Sequence, residues 1–114
     1  MPDILERKRI INEIQIEVAE GRLTFGKAIR RLRRECTDLP QDVFAKVLKV
    51  STRTLANLEA DVGNPTIHSL TSVFRAFGLR LSIENTNPLI NEDQLIARLN
   101  RRGHQVKTLG SGAI

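Results

Sequence analysis

The residues of this chain with the most chemistry to offer are hydrogen-bonding types rather than nucleophiles. Thr52, Arg53, Thr54 and Asn57 lie on the polar side of a short apolar-polar run, with Leu55 and Leu58 on the other side. All four types can bond a base edge: a guanidinium pairs bidentately with guanine, a carboxamide with adenine, and a hydroxyl with either. Catalytic chemistry finds little footing. His68 and His104 are the only histidines, and neither stands in metal-ligand spacing with Cys36 or a carboxylate. There is no Gly-rich phosphate loop of the G-x-x-x-x-G-K type and no G-x-S-x-G elbow. Glu59 reads as a structural carboxylate bonded within the domain. The expectation is a binding protein, not an enzyme, with no catalytic residue, metal ligand or cofactor site.

Two elements must position the polar quartet. Phe44, Ala45 and Leu48 set a short helical pattern that stops at Lys49-Val50; Ser51-Thr52 then offers an N-cap, and a second short helix follows through Leu55 and Leu58. Two short helices joined by a few residues must cross steeply rather than lie antiparallel. That is the helix-turn-helix arrangement, which offers its second helix to a DNA major groove. Phe44, Leu48, Val50, Leu55 and Leu58 would point inward.

The stretch Q-D-V-F-A-K-V-L-K-V-S-T-R-T-L-A-N-L-E-A-D-V-G-N-P, residues 41–65, resembles the XRE, or lambda-repressor-like, helix-turn-helix family. Gln41, Phe44, Ala45, Val50, Ser51, Leu55, Leu58, Glu59 and Pro65 fall in register with that family's pattern. Lys49 and Asp61 stand where the family often has Gly, which there serves a positive φ; Lys enters that region at modest cost and Asp more easily. The resemblance covers residues 25–83. It implies a mainly α fold, a lambda-repressor-like bundle, in which helix 52–59 enters the groove. It also implies that Gln41, opening the first helix, lies near the phosphates, and that Ala45 sits where the two helices approach most closely.

Charge is distributed in keeping with a polyanion partner. The net charge is +5, but residues 21–58 hold nine basic and three acidic side chains, whereas residues 59–97 hold two basic and five acidic. Arg30, Arg31, Arg33 and Arg34 cluster on a helix that Thr24 caps and that runs through Cys36. Phe25, Ile29, Leu32 and Cys36 form its inner face and the arginines would point outward. Arg30 and Arg34 are the expected phosphate contacts.

The remaining segments divide the chain into an N-terminal helical extension (1–22), the helix-turn-helix domain with a terminal strand (23–84) and a C-terminal helix with a flexible tail (85–114). In the extension, Ile4, Leu5, Ile11, Ile14 and Val18 recur at helical spacing, with Ile10 and Ile16 widening the apolar surface. Thr66 caps a helix whose buried side is Ile67, Leu70, Val73, Phe74 and Phe77, with Gly78 as its stop. Leu79-Arg80-Leu81-Ser82-Ile83-Glu84 alternates as a strand does. A lone strand needs a partner, so Leu79, Leu81 and Ile83 are expected to pair with the same strand of a second copy. A helix followed by one short strand after such a domain resembles the HipB- and HigA-type antitoxins. Asn91 would cap a last helix bearing Leu95, Ile96 and Leu99, ended by Gly103. One cysteine rules out an internal disulfide. With no long apolar run and no signal-peptide pattern, a cytoplasmic location and no membrane contact are expected.

Together these features point to a homodimeric, sequence-specific transcriptional repressor on a palindromic double-stranded operator, with the resemblance favouring an antitoxin that also holds a toxin protein. A free-standing phage-type or metabolic regulator is the alternative, as is an interaction module that no longer binds DNA.

Overall fold

A computed structural model of the 114-residue chain describes residues 2–83 and 92–103. It is mainly α, with no strand among the described residues, and it forms two compact units, Met1–Leu81 and Ser82–Ile114. In the first unit α1 spans Ile4–Ala19, α2 Phe25–Arg31, α3 Gln41–Leu48, α4 Thr52–Glu59 and α5 Ile67–Arg75. A π-helical turn, Leu32–Thr37, continues α2.

The starts of these helices follow from short oxygen-bearing side chains. Asp3, Thr24, Ser51 and Thr66 each adopt extended backbone and accept the N–H three residues on, at 2.8, 3.2, 3.0 and 3.0 Å. Each such cap contributes about 1 kcal/mol. The stops are left-handed residues. Lys49 takes φ 59° and Asp61 φ 56°, so both residues that replace Gly in the resembled pattern adopt the conformation that Gly would serve. Val50 N–H then reaches back to the Ala45 carbonyl at 3.0 Å and closes α3.

The core draws on every helix of this unit. Ile14, Ile29, Leu32, Phe44, Leu55 and Val73 are fully buried, each contributing about 1.5–3 kcal/mol by leaving water. Ala45 is buried where α3 meets α4. Another close approach lies between α2 and α4. A Cβ on Gly26 would stand 2.4 Å from the Leu58 carbonyl oxygen and 2.5 Å from Asp61 Oδ1. Only a hydrogen side chain lets the start of α2 meet the end of α4 there. The Asp61 carboxylate uses the proximity, accepting Gly26 N–H at 2.9 Å and the Thr24 hydroxyl at 2.6 Å.

Several expectations need correction. α1 packs on the rest of the first unit: Ile10 and Ile14 are its buried residues and belong to the common core, while Ile4 (63% exposed) and Leu5 (77%), expected on its apolar face, meet solvent. Ile11 and Val18 pack against that core as expected, on the side of α1 that meets the π turn and α2. Phe25 is partly exposed and meets Phe74 edge-on, with centroids 5.7 Å apart. Ile67 is exposed.

The strand expected at residues 79–84 is not formed in the single chain. Leu79 N–H is taken by the Phe74 carbonyl at 2.9 Å as α5 ends, and the chain then runs without regular structure through Ile83. Leu79 and Leu81 are half-buried against the chain's own core, so only Ile83, 97% exposed, is left free of it. Glu84, the Asn91 cap and the tail 104–114 lie outside the described residues.

In the second unit α6 spans Glu92–Arg101, with Arg98 and Arg101 in its last turn. Gly103, at φ 91°, ends it by donating to the Asn100 carbonyl. Ile96 and Leu99 share its more buried side.

Candidate nucleic-acid interface

The inner and outer faces of α4 are sharply divided. Leu55, Leu58 and Glu59 are buried, whereas Thr52, Arg53 and Asn57 are exposed. Among the described residues the side chains of those three meet no hydrogen-bond or ion-pair partner. Arg53 and Asn57, four residues apart, project from the same side of the helix. Thr54 differs from its expected companions. It is half-buried, and its hydroxyl accepts from Ser51 Oγ at 2.8 Å, a bond it would have to exchange to meet a base.

Three residues, Lys49 to Ser51, separate α3 from α4. The left-handed Lys49 turns the chain and Ser51 starts the next helix at once. The relation of α3 to α4 is then held at the far end by a buried ionic network. Arg33 grips Glu59 with two parallel bonds, Nε to Oε2 at 2.7 Å and Nη2 to Oε1 at 2.9 Å, and its Nη1 donates to the Leu39 carbonyl at 2.9 Å. Gln41 Nε2, on the first residue of α3, donates to the same Glu59 Oε1 at 3.0 Å. One carboxylate thereby ties the π turn, the start of α3 and the end of α4 together.

The electrostatics of that carboxylate have two opposing parts. Burial alone would raise its pKa, but hydrogen bonds from Arg33 and Gln41 and the nearby charges of Arg33 and Arg30 outweigh burial, holding the Glu59 carboxyl below the ordinary range. Arg33 is shifted up, chiefly through its hydrogen bonds to Glu59. The structural role expected for Glu59 thus has named partners.

The four arginines of α2 and its continuation do not all point outward, as the sequence pattern suggested. Arg31 meets Glu35 (2.7 Å), Glu13 (3.7 Å) and Glu17, joining α2 to α1. Arg33 is committed to Glu59. Arg30 and Arg34 are exposed and reach no carboxylate among the described residues. Cys36 is buried, and burial pushes its thiol pKa up, which suits packing rather than reactivity.

The residues on which the sequence expectations rested therefore separate. Among the described residues, Thr52, Arg53, Asn57, Arg30 and Arg34 present polar groups to solvent without a side-chain partner. Gln41 is anchored to Glu59, and Thr54 to its helix cap. The importance of Gly26, Asp61 and Arg33 was not legible, because each acts through a partner 26 to 37 residues away in the chain. The one signal for Arg33 was a carboxylate, Glu59, at an inward helical position, which demands a cation. No protein-family model, curated protein or solved structure matches this chain.

Proposed function

We propose that α3 and α4 form a helix-turn-helix of the lambda-repressor-like kind and that the protein is a sequence-specific repressor on double-stranded DNA. The observation that carries this reading is the divided face of α4. Its inner side is locked by core packing and by Glu59, while Arg53 and Asn57, the types suited to guanine and adenine, stand outward and uncommitted. A rigidly held helix with free base-reading groups is what groove recognition requires. Arg30 and Arg34, exposed and unpaired among the described residues, would contact phosphates, with the remaining N–H of Gln41 available to a third.

The repressor acts by steric occupation of a palindromic operator as a homodimer. Pairing of the segment that begins at Leu79 with its twofold mate remains the proposed contact. Support comes from the backbone of residues 80–83, which makes no backbone–backbone hydrogen bond among the described residues, the Ile83 carbonyl accepting only from the Ser82 hydroxyl at 3.3 Å. Because Leu79 and Leu81 already pack on their own core, the pairing would rest on backbone bonds and Ile83. The helices outside the resemblance, α1 and α6, suit an antitoxin that also holds a toxin. Co-purification with the product of the adjacent gene would test that role.

The deciding experiment is operator selection from random duplexes with the full chain and with Arg53→Ala. A palindromic consensus is expected, with half-sites separated by about one helical turn, ~34 Å. Arg53→Ala is expected to lose about 1–3 kcal/mol and to relax one position per half-site. An unchanged consensus and affinity removes Arg53 as a reader. No selection by the wild-type chain removes the DNA-binding function.

A further inference from the structure

Three arginines among the described residues are half-buried: Arg7, Arg31 and Arg33. Arg31 and Arg33 end on carboxylates. Arg7 does not; its Nε is buried with no hydrogen-bond partner, and its guanidinium meets no acceptor among the described residues. A partly desolvated cation without an anion is unfavourable, and such a group calls for an explanation.

Arg7 lines a groove of about 430 Å³ in the first unit. The walls come from α1, the π turn, α3 and the end of α5, with Ile11, Phe44, Leu48 and Phe77 among the apolar residues. Among the described residues, the charged members of the lining are Arg7 and Lys8, and no Asp or Glu lines it. The volume falls in the range of small-molecule sites, which are mostly apolar with a few placed polar groups. A groove with an apolar bed and two cations on its α1 wall matches a ligand with an apolar chain and one anionic head. The planar fork of an arginine suits a carboxylate in particular.

We propose that this groove binds a small amphipathic carboxylate of the fatty-acid class, its head on Arg7 beside Lys8 and its chain along Ile11, Phe44, Leu48 and Phe77. The inference rests on α1 and the core and is independent of the DNA-binding reading.

Decanoate and decanol are the probes, added to the full chain and followed by calorimetry and by amide shifts of Ile11, Val47 and Phe77. Saturable one-to-one binding of decanoate is expected below its aggregation range, with decanol weaker by about ten- to a hundredfold, the worth of a hydrogen-bonded charge. Arg7→Gln is expected to bring decanoate down to the affinity of decanol. Because that variant touches a half-buried residue, Val47→Glu provides a second arm. Val47 is 63% exposed and lines the groove, so the change spares the core, and its carboxylate repels the ligand and competes for Arg7. Loss of decanoate binding in both folded variants supports the site. Equal binding of decanoate and decanol, decanoate binding unchanged in either variant, or no saturable binding at all overturns it.

Discussion

Arg33 and Arg34 are neighbours in the chain, yet their surroundings are opposite. The Arg33 side chain is 11% exposed, bonded to Glu59 and to the Leu39 carbonyl, and holds α4 against the rest of the unit. Arg34 stands in solvent with no acceptor among the described residues. The same division separates Arg31 from Arg30, and the inner side of α4 from its outer side. Two arginines whose charge is already neutralised by carboxylates add little to the field a polyanion would meet. The arginine cluster is therefore a weaker electrostatic footprint than its count of charges suggests, and its share available to a partner lies on Arg30 and Arg34.

The sharpest break of this contrast is Arg33→Ala. It leaves Glu59 buried without its cation, and the expected loss is about 3–5 kcal/mol of unfolding free energy, read by urea denaturation. Arg34→Ala, the matched control, is expected within about 0.5 kcal/mol of wild type. Equal effects would mean that Arg33 is not structural.

Gly26→Ala probes the same inner faces without touching charge. The added methyl would meet the Leu58 carbonyl oxygen at 2.4 Å, a backbone atom that cannot swing aside. The expected cost is about 1–3 kcal/mol of overpacking, visible as a lowered Tm. A variant as stable as wild type would show that α2 can lift from α4 freely.

Acid titration gives a smaller effect of defined sign. The Glu59 pKa is depressed in the folded chain, so its contribution is present above the ordinary carboxylate pKa of about 4.3 and is lost as pH falls through the lower folded value. Stability is expected to decline across that acidic window. Glu59→Gln is expected to be less stable than wild type at neutral pH and to show a shallower decline. Parallel curves for the two proteins would assign the acid sensitivity to other carboxylates.

The smallest effect concerns the outward arginines. Arg30→Ala and Arg34→Ala are each expected to weaken DNA binding to all sequences alike. Each would flatten the log–log salt dependence by about 0.9, with unfolding free energy almost unchanged. An unaltered slope in both would move these side chains away from the DNA.

Local pattern alone was enough to locate the helices. The caps at Thr24, Ser51 and Thr66, the stop at Gly78, and the left-handed turns expected at Lys49 and Asp61 depend on neighbours a few residues away, and all are present. The outward placing of Arg53 and Asn57 follows equally from the helical period once Leu55 and Leu58 are inward. Periodicity failed where two faces competed. On α1 both Ile4-Leu5 and Ile10-Ile14 are apolar, and only packing against α2 and the π turn selects the second pair. Alternation likewise suggested a strand from Leu79, but a strand exists only with a partner for its backbone, and within one chain those leucines find the core instead.

What the sequence determined by itself is where the helices lie, the caps at Thr24, Ser51 and Thr66 and the outward side of Arg53 and Asn57, because capping and period act over a single turn. Which arginine is neutralised and which is free was decided only by tertiary structure. Arg33 meets Glu59 26 residues away and Asp61 meets Thr24 37 residues away. Charge type is written in the chain, but the partner that cancels it is chosen by folding.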